Sequence, residues 1–239
     1  MRNVTADIVT DLAPTGALRA ALNLGNPVLV QGTAAAPAGV TVDIAHEIAG
    51  RLGVPAEFRS FGAARESFAA ASSGQADICF LAIEPARAAE IAFTEPYVLI
   101  EGVYVVPRES PLTTVAEVDQ AGLRIGVKLG SAYDLFLTRT LRHAALVRGT
   151  EGTSEFVDGG LEAAAGVREP MTEFVAAHPE YRLIDGRFME ISQAVGTAKT
   201  KRAETVTFLR AVVEELKASG FVADALRRSG QTAPVAPLA

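Results

Sequence analysis

The chain has 239 residues, 49% of them hydrophobic and 21% charged, and a formal net charge of -6. That is the balance of an ordinary globular protein with ample material for a core. It excludes the basic footprint of a nucleic-acid binder. The densest basic cluster, residues 199–202, has only Lys199, Lys201 and Arg202 around Thr200. No stretch approaches the ~18 to 20 unbroken apolar residues of a membrane span, so direct membrane insertion is not expected. Residues 1–11 carry one Arg followed by alternating polar residues and lack the apolar run of a secretory signal, which leaves a cytoplasmic location open. Cys79 is the only cysteine. It sits in an apolar run and reads as a small core residue.

In chain order, strand-like and helix-like segments alternate, which argues for α/β layering. A strand is expected over 18–24. Asp43 then opens a helical pattern with Ile44, Ile48 and Leu52 on one face, stopped by Gly53. An acidic residue there suits the positive end of a helix dipole. A strand follows over 54–59 and a helix over 63–73, closed by Gly74 in left-handed geometry. Residues 76–83 are nearly all apolar, as in a strand buried on both faces. Pro85 starts a short helix, where its missing N–H costs nothing. After Phe93 and Tyr97 a long strand over 98–106 has the length to cross between two lobes.

A second round repeats this order. Strands are expected over 123–128, 144–148, 163–167 and 181–184. Helices are expected over 131–141 and from Pro170 to near His178. A return crossing is read over 192–197, and residues 202–229 form two helices broken at Gly220. Residues 231–239, rich in Pro and Ala, read as a disordered tail.

Four stretches carry a family resemblance. One is Gly39-Val40-Thr41-Val42-Asp43-Ile44-Ala45 with Leu52-Gly53. The second joins Gly74-Gln75-Ala76-Asp77, Glu84-Pro85-Ala86-Arg87 and Ala92-Phe93-Thr94-Glu95-Pro96-Tyr97. The third is Gly126-Val127-Lys128-Leu129-Gly130-Ser131-Ala132, and the fourth covers residues 159–167. In this order they resemble the family 3 solute-binding proteins, the polar amino acid group of bacterial ABC uptake systems. The resemblance implies a two-lobed, type II periplasmic-binding-protein-like α/β fold. Lobe 1 would comprise 14–103 plus 192–239 and lobe 2 would comprise 104–191, with hinge strands that let the lobes close on a ligand in the cleft. It further implies a small carboxylate solute, a periplasmic location and an ABC permease as partner. Binding of this kind requires no cofactor and no metal.

By its place in the motif, Arg87 is expected to grip the solute's carboxylate, because a guanidinium pairs both oxygens at once. The alternative is a surface Arg paired with Glu90. Gly130, Ser131 and Ala132 follow a strand and open a helix. Backbone N–H groups and a positive dipole end therefore meet there, and the resemblance aims them at the same carboxylate. An ordinary capped turn with Ser131 as N-cap is the plainer reading. Where the family places a carboxylate for the ligand's amino group, this chain has Val167, followed by Arg168 and Glu169. Glu84 either replaces that charge or caps its helix. Asn26 occupies the place of an aromatic that covers the ligand side chain. Arg168, if turned inward, would suit a second anion, as in a dicarboxylate or keto acid. The fold is also used by enzymes such as cyclohexadienyl dehydratase, for which Glu84 or Glu169 would be the acid or base. A cytosolic sensor or scavenger is a further alternative. His46, His143 and His178 lack metal-ligand spacing with each other or with Cys79.

Overall fold

Described over residues 4–239 by a computed structural model, the chain begins with a helix that its polar alternation concealed. In α1 (Ala6–Leu12), Thr5 is the N-cap and its hydroxyl accepts the Ile8 N–H at 3.4 Å. Ile8 and Leu12, one turn apart, are the buried residues of α1. Residues 1–3 of the segment read for a signal lie outside the described residues.

The chain divides into two units, one running to Leu99 and resuming at Ser192, the other comprising Ile100–Ile191. The first unit holds β1 (Leu18–Asn23), a small hairpin of β2 (Gln31–Thr33) and β3 (Ala36–Ala38), α2 (Val40–Leu52), β4 (Ala56–Phe61), α3 (Ala64–Ser72), β5 (Ile78–Ala82) and α4 (Pro85–Ala88). Helix α2 starts three residues before Asp43, after Gly39 at φ 106°, and buries Ile44, Ile48 and Leu52 as their spacing predicts. Gly53, in left-handed geometry, ends it. Strand β1 runs parallel to β4 on one side and to β5 on the other. Cys79, Leu81, Ile91 and Phe93 share one core cluster with Ala70 and Ala71 of α3, which confirms Cys79 as a packing residue.

The long strand β6 (Ile91–Pro107) extends further back than expected and takes in Phe93, Pro96 and Tyr97. Proline cannot donate to a ladder, and the Pro96 carbonyl here accepts Lys217 Nζ at 3.1 Å. Beyond Leu99 the strand belongs to the second unit. That unit contains β7 (Arg124–Lys128), α5 (Ala132–Thr140), β8 (Ala145–Gly149), α6 (Gly152–Gly159), β9 (Ala163–Val167), α7 (Arg168–Ala177) and β10 (Tyr181–Leu183). Its strands lie in the order β6-β9-β7-β8, with β10 on β6. Both β8 and β9 are parallel to β7, whereas β9 is antiparallel to β6.

Helix α6 was missed in the sequence, where only the turn at its end was expected. It has a glycine in its first turn and little apolar periodicity. It forms because it packs directly on β7, where a Cβ on Gly126 would overlap the Gly152 carbonyl oxygen. Helix α7 begins at Arg168, two residues before Pro170. The proline still falls in the first turn, where no N–H is needed.

Strand β11 (Met189–Ala198) returns the chain to the first unit and pairs antiparallel with β5. Helices α8 (Ala203–Ala218) and α9 (Phe221–Arg228) follow, separated at Gly220. The expected disordered tail is instead docked. Val235 bridges Val98, Leu99 donates its N–H to Pro234 at 3.0 Å, and Ala236 donates to Tyr97 at 3.1 Å. Prolines lack donors but keep carbonyls, so an extended Pro/Ala segment can still pair along β6. Among the described residues no helix is long and apolar enough to cross a membrane. The α/β class read from the sequence is the architecture found.

Candidate functional site

Strand order locates the candidate site within each unit. In the first unit the chain goes from β1 to β4 on one side, then to β5 on the other, so the order is β4-β1-β5. In the second it goes from β7 to β8 and back past β7 to β9, giving β8-β7-β9. In both, the connections diverge from the carboxyl ends of two neighbouring parallel strands. Open α/β sheets bind ligands at such a switch point, because the diverging loops leave a crevice there.

All the sequence-selected residues fall at these ends. In the first unit, Asn26 follows β1, while Glu84 and Arg87 follow β5. Asn26 is half-buried, and its carbonyl accepts the Leu29 and Val30 N–H groups at 3.1 Å each. Its side-chain Oδ1 is buried with no hydrogen-bond partner.

Arg87 is only 3% exposed and Glu84 2%, although Pro85 and Ala86 between them are exposed. The short helix α4 thus turns two charged side chains inward. That rules out the surface reading of Arg87. Arg87 donates to the Ala82 carbonyl at 3.2 Å. Burial pulls its guanidinium down to about 10, partly offset by the nearby Glu84 carboxylate and the Cys79 sulfur. It therefore stays charged at neutral pH, inside protein, with a carboxylate as electrostatic neighbour. Glu84 is the N-cap residue of α4, but its side chain makes no capping bond. Cys79, below them, is pushed up to about 12 by burial and is no nucleophile.

In the second unit Gly130 has φ 71°, which favours glycine, and Ser131 is the N-cap of α5. The Ser131 hydroxyl accepts the Asp134 N–H at 3.1 Å, and Asp134 Oδ2 accepts the Gly130 N–H at 2.8 Å. Asp134, in the first turn of α5, is 3% exposed and also pairs with Arg148 at 2.8 Å. It is the residue that holds the turn, and an acid four positions after a strand-ending glycine was the signal for it. The next two N–H groups, of Ala132 and Tyr133, open the helix and have no acceptor among the described residues. They and the dipole form a receptor for negative charge.

At the end of β9, Val167 is the N-cap of α7. Arg168 is tied within its own unit: its Nε bonds Glu101 Oε2, and its other nitrogen donates to the Gly186 carbonyl at 2.7 Å. Glu101 also takes Arg187 at 2.8 Å. Together Arg187 and Arg168 hold the Glu101 carboxyl below its ordinary value of 4.5. Glu169, next in the helix, is half-buried, with Oε2 buried and without a hydrogen-bond partner.

Solved structures share this fold. The substrate-binding protein AbpA of an amino acid ABC transporter from Streptococcus pneumoniae, bound to L-arginine, is 20% identical, with 91% of this chain and 96% of that one covered and a TM-score of 0.75. A solute receptor for L-cysteine from Neisseria gonorrhoeae is 22% identical, with 92% of each chain covered and a TM-score of 0.77. An ancestral amino acid-binding protein, a precursor of cyclohexadienyl dehydratase, is 18% identical, with 92% and 98% covered and a TM-score of 0.74. No curated protein matches the chain in sequence. The family of bacterial extracellular solute-binding proteins, family 3, matches residues 20–230, and the chain belongs to it.

Proposed function

We propose that the protein is a solute receptor for an amino acid or related small carboxylate, acting without chemistry as the substrate-binding component of an ABC-type uptake system. A permease is then its partner and the periplasm its place of work. The observation that carries this reading is the buried, charged Arg87 at the switch point of the first unit. Desolvating a guanidinium is costly and is retained where a partner anion repays it. Glu84 is an electrostatic neighbour of that guanidinium, and the planar fork suits a solute carboxylate. Within the second unit, the Gly130–Ala132 turn is a receptor for negative charge in its own right. Asn26, after β1 at the same switch point, contributes an amide whose Oδ1 has no hydrogen-bond partner.

The experiment is calorimetry of Arg87→Ala against the parent protein, with the twenty standard amino acids and small carboxylates as probes. Loss of a desolvated, charge-assisted pair costs about 2–5 kcal/mol, so affinity falls at least ~30-fold. An unchanged affinity refutes the assignment. A denaturation curve of the variant distinguishes lost binding from lost fold.

A further inference from the structure

We propose that the outer edge of β4, in the first unit, is a docking surface for a second copy of this chain, which pairs with it antiparallel about Phe58. None of the residues involved belongs to the candidate solute site.

Strand β4 ends the sheet order on its side of the unit, and β1 runs parallel to it on the inner side. The Pro55 carbonyl accepts the Leu18 N–H and the Phe61 carbonyl accepts the Leu24 N–H, each at 2.9 Å. In a parallel ladder both main-chain polar groups of a residue point to the same side, and the side alternates along the strand. Residues 55, 57, 59 and 61 therefore face β1. The N–H and C=O groups of Ala56, Phe58 and Ser60 point away from the sheet. Among the described residues no main-chain partner meets them. The edge of β6 at Val98 and Leu99 is in the opposite condition, because Pro234 and Val235 cover it. An uncovered row of main-chain donors and acceptors is a template for another strand.

The side chains select the strand that fits. Glu57 and Arg59 are both exposed and, two residues apart, lie on one face of β4. Among the described residues Arg59 has no ion pair and no side-chain hydrogen bond. Glu57 is level with Arg19 of β1, but that guanidinium is bonded to Asp77. Phe58 turns to the other face, where its ring meets His46 of α2 edge-on with centroids 5.0 Å apart. Charges of one sign along an edge repel a second copy; opposite signs at this spacing attract one.

The charges also fix the register. With Phe58 opposite Phe58 of the second copy, the outward N–H and C=O groups close a hydrogen-bonded pair, and Ala56 meets Ser60 in the same way. Glu57 then lies opposite Arg59 of the second copy, and Arg59 opposite its Glu57. These are the non-hydrogen-bonded positions, where facing side chains approach most closely. Moving the two-fold axis to residue 57 or 59 sets like charge against like charge. A two-fold pairing supplies the reversed order of acid and base by symmetry, so the matching strand is this strand.

The test is sedimentation of the full chain over a dilution series from millimolar to micromolar concentration. The parent is expected to show a monomer–dimer equilibrium. Glu57→Arg and Arg59→Glu each set like charges opposite one another at both symmetric positions, and each should weaken self-association by at least ~10-fold. An equimolar mixture of these two variants should dimerise as the parent does, because every opposed pair again has opposite signs. The double variant Glu57→Arg/Arg59→Glu should dimerise as well. Urea unfolding of each variant separates a lost contact from a lost fold. A parent that stays monomeric throughout overturns the proposal and leaves the edge to another chain or to solvent. Dimerisation retained by both single variants overturns it too, since the dimer then uses another surface. Folded single variants that stay monomeric when mixed overturn the register about Phe58.

Discussion

Asp134 Oδ2 accepts the Gly130 N–H at 2.8 Å while Oδ1 of the same carboxylate takes Arg148 Nε at 2.8 Å. One buried acid thus locks the glycine turn that presents the first-turn N–H groups of α5. Its removal takes the carboxylate acceptor from the half-buried Gly130 N–H and the anion from the half-exposed Arg148 guanidinium. Asp134→Ala is expected to lower stability by about 1–3 kcal/mol, read by urea denaturation. Affinity for carboxylate solutes should fall with it, because the turn is no longer held. Full affinity in a folded Asp134→Ala protein would contradict the role given to the turn.

Arg87→Lys keeps the charge but replaces a planar fork by a single ammonium. Binding of carboxylates is expected to weaken by at least ~10-fold, the difference between a bidentate and a point contact. The unfolding midpoint should move much less than in Arg87→Ala. Equal affinity for both residues would mean that position 87 acts only by long-range charge.

Lys217 is buried, with 1% of its side chain exposed, and donates to the Pro96 carbonyl at 3.1 Å and the Pro237 carbonyl at 2.8 Å. Its ammonium thereby ties the terminal segment to β6, with Glu214 at 2.5 Å as counter-ion. Lys217→Met is expected to cost about 2–4 kcal/mol by leaving those acceptors and the Glu214 charge unpaired. Hydrogen exchange at the Leu99 and Ala236 N–H groups should accelerate, since both bond across the docked tail.

Acid sensitivity follows from Glu101. Arg187 and Arg168 lower its folded-state pKa below 4.5, the value it would have in the unfolded chain. A depressed carboxyl stabilises the fold above its unfolded pKa, and that contribution disappears as pH falls through the folded value. Glu101→Gln is therefore expected to be less stable than the parent at pH 6, with the gap closing as pH drops below 4.5 toward the folded value. Parallel stability curves across that range would show that the cluster contributes nothing.

Gly126 and Gly152 set the approach of α6 to β7. Gly126→Ala puts a methyl into the Gly152 backbone, where no flexible side chain can yield. A loss of about 2–3 kcal/mol is expected, as for overpacking elsewhere in cores, and thermal unfolding measures it.

Much of this protein is legible in one dimension. The helix face of Ile44, Ile48 and Leu52, its Gly53 stop, and the apolar strands through Cys79 and Ala164 all follow from short-range spacing. So does the candidate site, because the Gly130-Ser131 turn and the Glu84-Pro85-Ala86-Arg87 segment are contiguous. Other features were hidden. Helix α1 has only Ile8 and Leu12 to show, and its stability comes from outside. Asp11 accepts the Arg202 N–H at 3.0 Å and the Thr205 hydroxyl at 2.6 Å. The docked tail and the close packing of Gly152 on Gly126 likewise depend on partners far away in the chain.

By itself the sequence determined element types, the α/β class and the placement of charge beside strand ends, because propensity, capping and periodicity act over a few residues. Only the tertiary structure decided that Arg87 is buried next to Glu84, that Arg168 is held by Glu101, and that Glu169 keeps a buried oxygen without a donor. Those are matters of desolvation and of which distant groups arrive within hydrogen-bond reach, and neither quantity is carried by local spacing.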